Sequence, residues 1–249
     1  MKAMAVIPAR YGASRFPGKP LADQTGKFLI QHVYEQVARA GRLDRVIVAT
    51  DDRRIADAVT RFGGQVVMTR ADHASGTDRV AEVAEGLDCE LVVNVQGDEP
   101  EIDPGHLDRL VTVMEQDGQC PMGTLACPFP SVAGAHPDDP AAVKVVVDRR
   151  GRALYFSRSP IPFVQDRSGK APAEPLLHVG VYAYRREFLL KLAALAATPL
   201  EQSESLEQLR VLEHGFEIAV AVVDSACVGI DTPEDYATFV GRCRSMELR

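Results

Sequence analysis

Short runs of apolar, largely β-branched residues recur along the first hundred residues, and longer segments with helical spacing separate them. The runs AMAVIP, RVIVAT, QVVM and LVVNV are apolar at consecutive positions, which predicts strands that are buried on both faces. Between these runs, residues 28–40, 53–62 and 77–87 have helix-like spacing. Strand–helix–strand repetition at this pitch predicts right-handed βαβ units and a mostly parallel sheet flanked by helices.

The pattern changes in the second half, where strand candidates follow one another without this strict alternation. The candidates are GTLACP, VKVVV, ALYFS, HVGVYAY and IAVAVV, with helices expected near residues 187–196 and 204–214. Residues 160–175 contain four prolines and predict an exposed loop. The fold class is therefore α/β, with a mixed sheet in the second half. With no repeat or linker in view, we expect one domain over residues 1–249, with parts at about 1–120 and 121–249.

Composition narrows the class of protein. The chain has 249 residues and a formal net charge of -7, which disfavours a general nucleic-acid binder. Its five cysteines form no C-x-x-C pair, as is typical of a reduced cytosolic protein rather than a disulfide framework or zinc site. The start does not resemble a signal peptide, and no apolar run approaches the roughly 18 residues of a membrane span. We expect a soluble, cytoplasmic protein.

A basic loop follows the first predicted strand. The stretch ARYGASRFPGKP, residues 9–20, places Arg10, Arg15 and Lys19 among turn-forming residues and contains no acid. Arginine can grip phosphate with two donors, while lysine acts as a mobile point charge. The spacing is not that of a P-loop, because five residues separate the two glycines and proline follows the lysine. The loop indicates triphosphate binding, and the alternative is a solvated loop packed against the protein's own acids.

Two acidic segments are candidates for binding magnesium. Asp98, in QGDEP, directly follows the strand LVVNV, and Asp231, in VGIDTPEDY, is expected to end a short strand before a helix. Magnesium favours one or two carboxylates and keeps its other positions for phosphate oxygens and water. Asp98 could instead belong to a turn before a helix, and Asp231 could be a capping residue. The pair becomes a metal site only if the fold brings both to one cleft.

The segment HASGTDR offers Ser75 and Arg79 to a nucleobase edge, or it is an ordinary helix N-terminus. His178 lies on a predicted strand, where a lone histidine is more often structural. Glu207 and Gln208 lie on the predicted helix SLEQLR. None of these signals specifies a function alone.

Taken in order, these segments resemble one enzyme family along nearly the whole chain. The segments are IPARYGASRFPGKPL, ATDD, MTRADHASGTDR, NVQGDEP, AAVKVVVD, ALYFSRSPIP, HVGVYAYR, LEQLRVL and DTPED. The pattern PAR-x4-R-x-PGKP is similar to cytidylyltransferases in general. ALYFSRSPIP with LEQLRVL resembles the Kdo cytidylyltransferases, which activate 3-deoxy-D-manno-octulosonate (Kdo) with CTP for lipopolysaccharide assembly. The implied fold is a Rossmann-like nucleotidyltransferase sheet with an added sugar-binding and homodimer-forming region.

The resemblance also implies roles for individual residues. It implies CTP and Kdo as substrates, Mg²⁺ as cofactor, and catalysis by Lys19, Arg10, Arg15, Asp98 and Asp231. It assigns CTP binding to Pro8, Ala9, Arg10, Ser14, Arg15, Lys19, Ser75, Arg79 and Gln96. It assigns magnesium to Asp98 and Asp231. It assigns the sugar to Gln96, Arg158, His178, Gly180, Tyr182, Glu207 and Gln208, where Arg158 and His178 could meet the carboxylate of the sugar acid.

Three alternatives remain open at this point. A cytidylyltransferase for another acid sugar, such as 8-amino-Kdo or sialic acid, needs only a few different hydroxyl contacts. A sugar-1-phosphate nucleotidyltransferase would need more basic residues in the second half. A catalytically silent nucleotide-sugar sensor would have no need for Lys19, Asp98 and Asp231 together.

Overall fold

The computed structural model describes residues 1–12, 15–129, 135–165 and 174–247. The chain divides into two compact units, one formed by Met1–Asp108 with Cys227–Arg249 and the other by Arg109–Ala226. Among the helices in these described ranges, none combines the length and the apolar character of a membrane-spanning segment. Half of the predicted loop at residues 160–175, namely residues 166–173, lies outside the described residues.

Four parallel strands form the sheet of the first unit. They are β1 (Ala3–Ala9), β2 (Arg45–Thr50), β3 (Val66–Met68) and β4 (Leu91–Asn94), in the order β3-β2-β1-β4. The helices α1 (Leu29–Val37), α2 (Arg53–Arg61) and α3 (Gly76–Glu85) connect them, and α4 (Pro104–Gln116) follows β4. The predicted parallel α/β architecture is confirmed. The strand order reverses between β1 and β4, which is where open α/β sheets bind their ligands.

The prediction that the run QVVM is buried on both faces is wrong. Val67 is 39% exposed and Met68 is 43% exposed in β3. Among the described strands, β3 pairs only with β2 and lies at an edge of the sheet. Apolar residues at consecutive positions identified the strand correctly, but they do not reveal which strand is at the edge.

The second unit contains a mixed sheet, as predicted. Its strands are β5 (Met122–Pro128), β6 (Lys144–Val147), β7 (Ala153–Ser157), β8 (Leu176–Arg185) and β9 (Ile218–Val222). β5 lies parallel to β9 and antiparallel to β8, while β6 lies antiparallel to both β7 and β8. The register between β5 and β8 shifts after Thr124, which faces Tyr182 while Leu125 faces Val179. This shift is a bulge in β8.

The helix predicted over residues 204–214 is in fact interrupted. After α5 (Arg186–Ala193), α6 covers Pro199–Glu204 and α7 covers Gln208–Glu213. Ser205 ends α6 in the left-handed conformation, with φ of 52°. Serine, unlike glycine or proline, is not a strong signal for the end of a helix, so the sequence did not predict this break. Glu207 consequently stands at the N-cap position of α7 rather than inside a helix.

The last helix, α8 (Pro233–Glu247), belongs to the first unit. Thr232 and Asp235 cap its start, because each side chain accepts a hydrogen bond from the backbone N–H of the other. A helix therefore follows Asp231 as predicted, but the capping residue is Thr232 rather than Asp231. The expected strand ending at Asp231 is wrong, since residues 227–230 have no regular secondary structure. Instead, Ile230 N–H donates to the carbonyl of Asp98 at 2.9 Å, which ties this segment to the end of β4.

Candidate functional site

A cleft of about 310 Å³ lies in the first unit, where β1 and β4 end. Its volume is at the lower end of the range for small-molecule pockets, about 300–1,000 Å³. All the nucleotide-binding and metal candidates within the described residues line it: Pro8, Ala9, Arg10, Arg15, Lys19, Ser75, Arg79, Gln96, Asp98 and Asp231. Ser14, the remaining candidate, lies outside the described residues. The cleft thus gathers four segments that are far apart in the sequence.

Lys19 is the central residue of a charged wall of the cleft, formed by Arg15, Lys19, Asp98 and Asp231. Its ammonium donates to Asp98 Oδ2 at 2.8 Å and to the Ile230 carbonyl at 2.6 Å, and it lies 3.7 Å from Asp231 Oδ1. Arg15 forms a second ion pair with Asp231, at 3.0 Å. The fold therefore brings Asp98 and Asp231 to one cation, which was the condition for reading them as a pair. Lys19 and Arg15 of the basic loop pair with the protein's own acids. The alternative interpretation of the loop, that it packs against these acids, therefore describes part of its structure.

The two cations differ in how firmly they are held. The side chain of Lys19 is 11% exposed, whereas that of Arg15 is 68% exposed. Gly18 places Lys19 by adopting a left-handed conformation with φ of 73°, and a Cβ there would lie 3.0 Å from the ring of Tyr11. Arg10 is exposed and also lines the cleft. One lysine is thus fixed beneath the cleft while two guanidinium groups are free to adjust to an anionic ligand.

The carboxylates fit a magnesium ion that shares its coordination with phosphate. Asp98 and Asp231 present oxygen ligands with side chains 32% and 52% exposed. In the part of the chain that the structure describes, no group of three or more histidine, cysteine or acidic side chains could hold a metal. Two carboxylates are a donor set that magnesium accepts, because it is often bound by one or two carboxylates together with substrate phosphates and water. Burial and, to a lesser extent, the charge of Asp98 raise the pKa of Glu99, the residue after Asp98, to about 8.

Two further cleft residues, Ser75 and Arg79, also make contacts that stabilise the fold. Ser75 caps α3, because its side chain and that of Asp78 each accept a hydrogen bond from the backbone N–H of the other. This is the ordinary helix N-terminus that the sequence offered as the alternative. Arg79 is buried, lies 3.1 Å from Asp51 and donates to the hydroxyl of Thr69. Both residues also line the cleft, so each combines a structural contact with a position in the cleft wall.

Sequence reasoning missed several cleft residues, among them His73 and Gly97. The carboxylate of Glu82 bonds His73. A Cβ at position 97 would lie 2.9 Å from the carbonyl of Pro8, so glycine allows the turn after β4 to pass close to the end of β1. A glycine within three residues of the end of a buried strand is the sequence signal that could have identified it.

The sugar candidates other than Gln96 lie in the second unit. His178, Gly180 and Tyr182 are on β8, and the Tyr182 hydroxyl donates to Gln208 Oε1 at 3.3 Å. The Gln208 Nε2 is enclosed and has no hydrogen-bond partner among the described residues. The imidazole of His178 packs between Phe156 and Tyr182, at centroid distances of 5.0 and 5.6 Å. These groups form a neutral cluster with an unused donor.

Arg158 and His178 do not present the free cations expected for a carboxylate. The guanidinium of Arg158 donates to the carbonyls of Glu204, Pro140 and Ser205, at 2.7, 3.0 and 3.3 Å. Burial lowers the pKa of His178 to about 3, so its ring is neutral at physiological pH. Arg158 in this structure holds together the backbone between α6 and α7, just before Glu207. The sequence could not show that three of its five N–H donors bond the protein's own backbone.

Comparison with known proteins gives a consistent result. Residues 4–218 match the cytidylyltransferase family model. A 3-deoxy-manno-octulosonate cytidylyltransferase from Syntrophotalea carbinolica is 53% identical over 99% of this chain and 100% of its own. The enzyme of that name from Geobacter metallireducens is 51% identical over the full length of both chains.

A solved structure is equally similar in fold. A CMP:2-keto-3-deoxy-manno-octonic acid synthetase complexed with CTP superposes with a TM-score of 0.93. It is 45% identical and covers 99% of this chain and 100% of its own. By its full-length identity to these relatives, the chain belongs to the 3-deoxy-manno-octulosonate cytidylyltransferase family.

Proposed function

We propose that this chain transfers CMP from CTP to Kdo, giving CMP-Kdo and pyrophosphate, and so activates Kdo for lipopolysaccharide assembly. One observation carries the proposal: Lys19, at the end of the basic loop, contacts both Asp98 and Asp231 at the switch point of a parallel sheet. A nucleotide triphosphate needs this combination of cations and metal-binding oxygens. A silent sensor would need only the cations.

The reaction is a displacement at phosphorus. The anomeric hydroxyl of Kdo attacks the α-phosphorus of CTP, a new O–P bond forms, the bond to pyrophosphate breaks, and the hydroxyl proton leaves to solvent. Such transfers depend mainly on alignment and on neutralising charge in the transition state. Lys19 is fixed by two hydrogen bonds and supplies an oriented positive charge, while Arg10 and Arg15 close on the triphosphate from the exposed side.

Magnesium is the cofactor we propose, with Asp98 and Asp231 as its protein ligands. When bound, it would neutralise phosphate charge and lower the pKa of the attacking hydroxyl. The two carboxylates already share Lys19, which keeps them close in the absence of a second cation. No dedicated protein base is then required.

We propose that the cluster of the second unit recognises the sugar. The unpartnered Nε2 of Gln208 is a donor available to a sugar hydroxyl, and Tyr182 orients that amide through its Oε1. Buried polar groups of this kind discriminate strongly, because an analogue that lacks the matching group leaves them unpaired. The same cluster would decide between Kdo and 8-amino-Kdo or sialic acid.

The assembly we propose is a homodimer in the cytoplasm. Leu154 on β7 and Val222 on β9 are 62% and 47% exposed, which is unusual for large apolar side chains on strands. The five cysteines are free thiols, as suits a reducing compartment. Light scattering on the purified protein measures the assembly, and a monomeric mass would contradict a dimer.

Pyrophosphate release tests the activity directly. The chain is supplied with magnesium and CTP together with Kdo, 8-amino-Kdo or sialic acid, and UTP replaces CTP in a parallel series. We expect release with CTP and Kdo, and CMP-Kdo by mass spectrometry. Release with another acid sugar alone would assign the cluster to that sugar. CTP binding without release for any pair would favour the sensor.

A further inference from the structure

We propose that Thr124 is a positioning residue of the sugar site. Thr124 holds His178 as the Nε2–H tautomer, so that Nδ1 of His178 accepts a hydrogen bond from a sugar hydroxyl. This inference rests on the proposed function. It replaces the expectation that His178 meets the carboxylate of the sugar acid.

The contacts of Thr124 determine which nitrogen carries the proton. Thr124 is completely buried on β5, opposite the bulge in β8. Its Oγ1 lies 2.8 Å from the carbonyl oxygen of Val181, 3.3 Å from that of Val179 and 3.0 Å from Nε2 of His178. A hydroxyl has one hydrogen, and a carbonyl can only accept. The hydrogen therefore points to Val181 or Val179, and the oxygen lone pair faces Nε2, which must donate.

The opposite tautomer would be unfavourable here. If Thr124 donated to Nε2 of His178, the carbonyl oxygens of Val179 and Val181 would face the hydroxyl oxygen with no hydrogen between them. Thr124 is inaccessible to solvent, so water could not relieve that arrangement. The bulge thus selects the tautomer, because it turns two carbonyls toward one hydroxyl.

The second nitrogen is then left as an acceptor. Burial keeps the ring neutral, so Nδ1 has a lone pair, and it has no hydrogen-bond partner among the described residues. His178 as a whole retains some exposed surface. Its ring is held by Phe156 and Tyr182 on either side. A lone pair in this position attracts a hydroxyl and repels a carboxylate, so His178 reads a hydroxyl of the sugar.

Nuclear magnetic resonance of ring nitrogens tests the tautomer without any substrate. Protein labelled with ¹⁵N-histidine is compared at neutral pH with His178→Asn, which identifies the His178 signals by their loss. We expect a protonated Nε2 and an unprotonated Nδ1. Adding Kdo should shift the Nδ1 resonance in the direction of an accepted hydrogen bond. A protonated Nδ1, or an Nδ1 signal that Kdo does not move, would overturn the proposal.

Kinetics of Thr124 variants provide a second, independent readout. In Thr124→Val the hydroxyl is lost at nearly constant shape, and we expect KM for Kdo to rise about tenfold while KM for CTP stays unchanged. Thr124→Ser keeps the hydroxyl and should restore both the spectrum and KM. A folded Thr124→Val with the wild-type KM for Kdo would contradict the proposal. Should the valine variant not fold, the wild-type spectra with and without Kdo decide.

The two hypotheses fail in different ways. If the wild type releases no pyrophosphate with CTP and Kdo, the proposed function is wrong, whatever the tautomer. If it does release pyrophosphate but the His178 spectrum shows the other tautomer, only the role of Thr124 is wrong.

Discussion

The cleft of the first unit and the cluster of the second unit are built from opposite kinds of group. Lys19, Arg15 and the two aspartates of the cleft are charged, and Arg15 and Asp231 are largely exposed. In the cluster, His178 is neutral and the Gln208 amide is oriented by Tyr182. A triphosphate is bound through charge, which tolerates mobile partners, whereas sugar hydroxyls are distinguished by donors and acceptors that must be fixed. Substitutions in the two regions should therefore affect different kinetic constants.

The largest effect is expected in the cleft, from Lys19→Met. Loss of the fixed ammonium should lower kcat by about a hundredfold to a thousandfold, as for removal of one oriented electrostatic group in other enzymes. Pyrophosphate release measures it. Lys27→Met, which removes an exposed lysine paired with Glu35, is the matched control and should turn over normally. Wild-type turnover in Lys19→Met would show that the charged wall is not catalytic.

In the cluster, Gln208→Leu should change the constants differently. Removing the unpartnered donor is expected to raise KM for Kdo about tenfold and to leave KM for CTP unchanged. Initial rates measured at varied concentrations of Kdo and of CTP give the two KM values separately. The exposed Gln202 on α6 offers Gln202→Leu as the control. Equal changes in both constants would remove the distinction between the two regions.

The neutral state of His178 predicts how stability depends on pH. Its folded pKa of about 3 lies below the ordinary value of 6.5, so below pH 6.5 the unfolded chain takes up a proton that the folded chain does not. The free energy of unfolding should therefore fall as pH drops from 6.5 toward 3, by at most about 1.4 kcal/mol per pH unit from this residue. Urea unfolding of wild type and His178→Asn should show a shallower pH dependence in the variant. Parallel curves would mean that the pKa of His178 in the folded protein equals its pKa in the unfolded chain, which would contradict its burial as a neutral ring.

The smallest effect is expected for stability in Arg15→Gln. Because the Arg15–Asp231 pair is exposed, its loss should change the free energy of unfolding by about 1 kcal/mol or less. Thermal unfolding checks this. Any weakening of CTP binding in the variant then reports a lost ligand contact. A larger loss of stability would show that the basic loop is primarily a structural element.

The sequence predicts most of the fold, and the exceptions have a common cause. Consecutive apolar residues identify β1, β2 and β4, and the basic loop is evident from its composition. The exposure of β3 and the break at Ser205 depend on neighbours that are distant in the chain or on a single left-handed residue.

The site shows the same division. The candidate residues of the cleft were identified from motifs and resemblance, but the approach of Asp231 to Asp98 depends on contacts between distant parts of the chain. The N–H of Ile230 donates to the carbonyl of Asp98, and the carbonyl of Ile230 accepts from Lys19. The neutral charge of His178 and the occupied donors of Arg158 arise from packing around a bulge and from the turn after α6. A motif specifies which residue is present, whereas its protonation and available donors depend on the folded surroundings.

Turnover of Asp98→Ala tests the central claim most directly, measured as pyrophosphate release from CTP and Kdo across a magnesium titration. Asp57→Ala, an exposed acid on α2, is the control. The account predicts a folded Asp98→Ala protein that still binds CTP, has lost nearly all turnover, and is not restored by more magnesium. Unchanged turnover with the wild-type magnesium dependence would contradict the assignment of Asp98 and Asp231 as the metal-binding pair.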